Sequence, residues 1–389
     1  MTRQCRNLWA AAVAAGAVAM LAGCNQFIEP QLTMDPQRAR VDARSKLYQA
    51  ADDADPTTRV HAIEAMADVV GDRAGGVFLQ ALDDPIPMVR FAAAMAIGDV
   101  KCAPAKAKLV KMSAFTPSTQ TGERQKAAFI AVAYALARLD ALSAEPGTEL
   151  GRLLDDPEKD VRALTAMAMG KIGEPSATGP LKAILENERE PMVLIQLHEA
   201  LAMLGDQRSA SVLEAFTKGQ FMDDRLVAIQ ALARVQYRRA PAVLQSLMDE
   251  RQPPQVRVAA AGALARLGQV DPAGYRLCVE AARDPARMLT RAYGGAKEAS
   301  ATEINSLQGL AAIGLGWMNR TGAIEVLHPL LFSKDGAVRV AAAMSILRLL
   351  GSVPTEPQGV TPRPASRPGE ADLPTVPKPP KLHTAGGKD

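Results

Sequence analysis

Aromatic side chains are scarce in this 389-residue chain: eight Phe, five Tyr and two Trp amount to 4% of it. A content that low argues against most enzymes. Four cysteines and four histidines leave little material for a metal cluster or a disulfide framework. His61, His198 and His328 fall in different parts of the chain with no His or Cys at ligand spacing, so neither a metal nor a cofactor is expected. Charge of one sign is also missing. Lys and Arg number 45 against 42 Asp and Glu, a net +3, and two of the cations, Arg3 and Arg6, precede the first apolar run, so no nucleic-acid footprint is present. Glycine-rich phosphate loops and a Gly-x-Ser-x-Gly turn are absent. The pairs Asp83-Asp84 and Asp155-Asp156 each precede a Pro, where the routine role is capping a helix. No catalytic constellation emerges.

Near the N-terminus stands a long apolar run without charge, residues 8–22. It is shorter than the roughly 20 residues a membrane span needs, but behind two arginines it has the form of a secretory leader. The run closes on Leu21-Ala22-Gly23-Cys24, which resembles the bacterial lipobox. That resemblance implies cleavage before Cys24 and acylation of its thiol, hence a lipid-anchored protein of the cell envelope. Asn25, rather than Asp, follows the cysteine and points to the outer membrane, facing the periplasm. Cys102 and Cys278 lie in apolar helical contexts and are expected to be buried, unpaired thiols.

What the chain has in abundance is alanine, and a repeat. Val161-Arg162-Ala163-Leu164-Thr165-Ala166-Met167-Ala168-Met169-Gly170 recurs from Val89, Val256 and Val338, with weaker copies from Thr58, Ala128, Val193, Asp224 and Asn305. Counting the first template residue as position zero, position seven is Ala in eight copies and Ser345 in the ninth. Position one is Arg in six: Arg59, Arg90, Arg162, Arg225, Arg257 and Arg339. Between copies runs a second apolar-periodic stretch, closed by Asp-Pro signals that start the next helix. Each unit of about 32 residues is therefore a helical hairpin. Two spacings are long, with insertions at 113–122 and 286–302 that read as a loop and a protrusion.

The Asp-Pro…Val-Arg…Ala…Ala-Leu…Gly pattern resembles HEAT repeats, most closely the HEAT-like repeats of phycobilisome lyases, over residues 55–351. The resemblance implies an all-α fold, an α-solenoid superhelix of about nine HEAT-like hairpins around one continuous core. It also implies that the six arginines form a structural ladder, each bonding an Asp of a neighbouring repeat. The expected organisation is a signal peptide (1–23), an N-terminal linker (24–34), the solenoid with an N-terminal capping helix (35–351) and a tail (352–389). Nine of the tail's 38 residues are Pro, so it reads as disordered.

One pattern points to a surface. At 100° per residue, positions 0, 4, 7, 8 and 11 share the core face, and positions 2, 6 and 9 oppose it. Position two is apolar in every copy, including Phe91, Ile130, Ile195, Leu226, Val258, Leu307 and Val340; position six adds Met95, Tyr134, Met167 and Met344. In HEAT-like solenoids this helix lines the concave side. The stripe is expected either to form a dry groove for a protein partner or to be buried by tight curvature. The leading functional reading is a non-enzymatic, lipid-anchored scaffold that binds a protein through this face. The alternative is a lyase- or chaperone-like accessory factor for a chromophore or cofactor protein.

Overall fold

The computed structural model describes residues 27–351, except 115–116, 118–121, 143 and 296–297. The leader with Cys24 and the proline-rich tail lie outside the described residues. Among those described, every element is helical. Helix α1 (Pro36–Ala51) packs with α2 (Pro56–Val69), α3 (Gly75–Ala81) with α4 (Pro87–Val100), and α5 (Lys106–Met112) with α6 (Glu123–Arg138). Helices α7 (Ala144–Arg152) and α8 (Lys159–Ile172), α9 (Thr178–Leu185) and α10 (Pro191–Met203), and α11 (Gln207–Phe216) and α12 (Met222–Leu232) continue the series. Then come α13 (Ala240–Ser246) with α14 (Pro254–Arg266), α15 (Pro272–Arg283) and α16 (Pro285–Ala292) with α17 (Ala301–Trp317), and α18 (Ile324–Leu327) with α19 (Gly336–Leu349).

Several local signals act as the sequence suggests, but the Asp83-Asp84 and Asp155-Asp156 pairs do not cap their helices, whose N-cap positions are Ile86 and Glu158. Asp55 accepts the Thr57 and Thr58 N–H groups ahead of Pro56, and Asp271 does the same for Ala273 and Gly274 ahead of Pro272. Gly173, Gly205 and Gly268 leave their helices at φ of 84°, 96° and 79°, a left-handed conformation that only glycine adopts cheaply. Asp84 and Asp156 stand one turn before their helices, each accepting the N–H two residues on, from Ile86 and Glu158.

The solenoid closes on itself. Each second helix packs on the next along the chain, and the series ends with α19 on α2. These nine helices form a complete inner ring. Helix α1 also packs on α19, so it is the first helix of the first hairpin, seated at the seam, and not a cap over an open end. The seam is rich in polar contacts. Arg339 bonds Asp53 at 2.9 Å, His328 meets Asp42 at 2.9 Å, Arg348 pairs with Asp68, and Arg40 donates to the Leu350 carbonyl. Gly336 lies so close to Thr58 that a Cβ there would collide with its side chain.

The segment expected as a linker is docked from Phe27 onward. Glu325 accepts N–H bonds from Thr33 and Met34, Glu29 pairs with Arg320, and the Pro30 carbonyl abuts Gly322. The second insertion is likewise structured, since it contains α16, whose Leu289 is fully buried. Cys102 and Cys278 are both buried and free. Burial raises both thiols, that of Cys278 to about 12.

Small residues set the spacing of the ring. Position nine is Gly98, Gly170 or Gly316 in three copies, and a Cβ there would stand 3.1, 2.6 and 2.9 Å from the Cα of Ala135, Ala200 and Ser345. The first two partners are position seven of the following copy. Ser345 is position seven of the last copy, so Gly316 must be position nine of the copy before it. That copy therefore starts at Leu307 and not at Asn305. Leu307 is 0% exposed and occupies the core position, not the inner stripe. The alanine pair Ala311-Ala312 allowed the two-residue slip, because either register places an Ala inside.

Of the six arginines expected to form a ladder, three reach an acidic side chain of a neighbouring repeat, one of them across the seam. Arg59 grips Asp84 at 3.0 and 2.9 Å, Arg162 grips Glu188 at 2.7 and 3.2 Å, and Arg339 reaches Asp53. The same guanidinium groups also donate to two carbonyls of their own loop, as Arg90 does to Asp84 and Pro85. Arg225 takes Gln252 as partner and Arg257 the Met248 carbonyl, so these rungs are not ionic. Burial alone would raise the Glu188 carboxyl, but the Arg162 bonds and the N–H groups of Glu190 and Arg189 outweigh it and hold the pKa at about 2. A depressed carboxylate stabilises the fold above its unfolded value near 4.5, and that contribution is lost as pH falls toward 2. Acid titration of the melting temperature should therefore be shallower for Glu188→Gln than for wild type between pH 4.5 and 2. Equal slopes would show that this rung contributes nothing.

Candidate functional site

The inner helices are covered on one flank by their hairpin partners and on both sides by each other, which leaves a narrow arc facing the axis. Position two is not on that arc. Ile130, Ile195 and Val258 are 0% exposed and Val340 is 4% exposed. Phe91 and Leu226 are only half-buried. Of the position-six residues, Tyr134 and Met95 are buried, and Met167 and Met344 are partly exposed. The stripe expected as an open groove is thus mostly packing, because ring closure brings neighbouring inner helices into contact across their small residues.

The arc that faces inward carries positions three, six and ten. Position ten reads Asp68, Asp99, Arg138, Lys171, Met203, Arg234, Arg266, Trp317 and Arg348 around the nine inner helices. Together they make a charged collar that the sequence reading missed. Its members bond across repeats. Lys171 on α8 pairs with Asp99 on α4 at 2.8 Å, passing over the ring of Tyr134 on α6 at 5.1 Å, and Tyr134 donates its hydroxyl to the same Asp99. Arg234, two residues past the end of α12, clasps Glu199 on α10 through two bonds of 2.5 and 3.1 Å. Trp317 on α17 carries two guanidinium groups, Arg348 at 4.0 Å and Arg266 at 5.1 Å from its ring centroid, a cation–π arrangement.

The electrostatics are those of a crowded but wet interior. Glu64, at position six of α2, is solvent-accessible yet surrounded by protein on most sides, and that desolvation raises its carboxyl pKa against the pull of His61 and Lys171. Burial raises the Tyr134 hydroxyl, and the Asp99 bond adds to it, so Tyr134 stays a neutral donor. Burial lowers Arg348 to about 10 and also lowers Arg266, where the nearby charge of Arg234 acts in the same direction. Buried Arg348 Nη1 and Arg138 Nε have no hydrogen-bond partner among the described residues. Arg266 makes no ion pair among those described, and exposed Met203 and Ile313 add apolar surface to the same arc. A shallow depression lined by Arg234, Val235, Gln236, Tyr237 and Leu267 opens beside it. Among the described residues of this arc no nucleophile stands with a base beside it. Among the described residues no group of three His, Cys, Asp or Glu side chains is placed to hold a metal ion.

Residues 44–140 and 148–220 match the HEAT-repeat family. The fold is therefore an all-α solenoid built from HEAT-like hairpins. A curated relative, the uncharacterized phycocyanin operon protein Z of Pseudanabaena tenuis (strain PCC 7409), is 32% identical over 99 residues. That stretch is 25% of this chain and 48% of the relative, so the chain spans about half the length of the relative it matches. Among solved structures, the complex of CpcE and CpcF of phycocyanin lyase from Nostoc sp. PCC7120 is similar with a TM-score of 0.38 and 17% identity, covering 69% of this chain and 99% of that one. Human deoxyhypusine hydroxylase in complex with glycerol gives 0.28 and 16%, covering 64% and 98%.

Proposed function

We propose that this protein is a lipid-anchored scaffold of the bacterial cell envelope that holds a protein partner against the inner face of its ring. Cys24 is the lipid attachment point, and the outer membrane, facing the periplasm, is its place. The observation that carries the binding role is the collar. Side chains from separate inner helices converge there, and Arg266, held on the Trp317 ring, makes no ion pair among the described residues, the nearby Glu199 being clasped by Arg234. A partner presenting Asp or Glu side chains supplies one, with Met203 and Ile313 as adjoining apolar contacts.

The test is a photo-crosslinking residue in place of exposed Ile313, on the same arc as Arg266, in intact cells, compared with one in place of exposed Phe221 just before α12. Capture of one protein from position 313 but not 221, lost at least tenfold when Arg266→Glu is added, supports the reading. Equal capture at both positions sinks it. Cys24→Ala should abolish palmitate incorporation; label on that variant at wild-type level would refute the anchor.

A second reading, an accessory factor of lyase or chaperone type for a chromophore or cofactor protein, draws on the match to the phycocyanin operon protein. Recovery of the protein in the cytoplasmic fraction, unlabelled by palmitate, together with a chromophore-bearing protein as the crosslinked species, would favour it.

A further inference from the structure

Phe27, the first described residue, is three residues from Cys24, and three residues span at most about 11 Å. Its position is fixed. The Phe27 ring stands edge-on to Tyr275 of α15, 6.2 Å between centroids at 88°, and Arg276 lies 5.4 Å from its centroid. From there residues 29–34 are tied to Arg320 and Glu325 near α18, as described above. The chain between the acylated cysteine and the ring therefore has almost no slack.

We infer that the ring is seated on the membrane by one face, that of α15 around Phe27, and is not suspended from a free tether. It rests on the anchoring reading above. The chemistry of this face suits a phospholipid surface. Ile28 is 82% exposed beside the contact of half-buried Phe27 with buried Tyr275, an apolar side chain placed next to the acyl chains. Arg276 and Arg283 are exposed and seven residues, about two turns, apart on α15, and Arg320 lies over the Tyr275 ring at 4.8 Å. Arginines beside an apolar residue at an anchor are placed to meet lipid phosphates. Arg320 is already paired with Glu29, and Glu280 stands between the other two on the same helix, so Arg276 and Arg283 act as local headgroup contacts and not as a strong general field.

The experiment couples the chain from Cys24 onward, through that cysteine, to a maleimide phospholipid in phosphatidylethanolamine–phosphatidylglycerol vesicles. The buried Cys102 and Cys278 do not compete. A photoactivatable headgroup then marks the apposed protein surface, read by mass spectrometry. Label on the peptides holding Ile28, Arg276 and Arg283, at least tenfold above the Phe221 peptide, is the expected result. Arg276→Glu with Arg283→Glu should cut the α15 label several-fold at an unchanged melting temperature. Label spread evenly over the ring, or confined to residues 24–28, overturns the inference. Because coupling is chemical, failure here is distinct from failure of anchoring, which palmitate labelling of Cys24 in cells reads separately.

Discussion

Val258→Asp should abolish the folded state at 37 °C. Val258 is 0% exposed on α14, among neighbours that are almost entirely apolar. A carboxylate introduced there has no partner and costs several kcal/mol whether it stays charged or takes up a proton. Total stabilities are commonly only about 5–15 kcal/mol, so the loss is a large share. Ile130→Asp on α6 should behave the same way, and Phe91→Asp, at a half-buried site, should cost much less. Circular dichroism melts of the three variants provide the check. A melt of Val258→Asp within a few degrees of wild type would mean that the inner stripe is open after all.

Lys126→Met should be nearly as damaging, through a different mechanism. Lys126 Nζ sits 2.6 Å from Asp156 Oδ2, and the two side chains are only 3% and 7% exposed. Removing one member of a buried pair strands the other charge, at about 3–5 kcal/mol. Pairing Lys126→Met with Asp156→Leu should recover most of that loss, less the bond that Asp156 accepts from the Glu158 N–H. A double variant no more stable than Lys126→Met alone would show that the charge pair is not what holds α6 to the loop before α8.

Much of this was legible in the sequence because it is local. The hairpin count, the Asp-Pro starts, the glycine exits and the core positions all follow from the 3.6-residue period and cap chemistry. Ring closure did not follow, because curvature depends on how closely neighbouring helices approach, and that is fixed by pairs of small residues in different repeats. The signal was nonetheless present. Gly98, Gly170 and Gly316 recur at position nine, each facing a small residue of the next copy. Once the copy starting at Leu307 is placed correctly, position ten is charged in seven of nine copies, which marks the collar. Alanine, which made the repeat visible, also hid the register of that one copy, since it fits the inside and the flank of a helix equally well.

Closure also changes what a repeat is free to do. In an open stack each hairpin contacts only its neighbours, and a small change of angle at one junction merely re-aims the ends. Here the angles must sum to a full turn, about 40° for each of nine hairpins. If contact at Arg266 tilts α14, the excess has to be taken up at other junctions, and the seam between α19 and α2 is one of them. A ligand felt by one helix is thereby felt around the whole circumference, with no dedicated path between the sites.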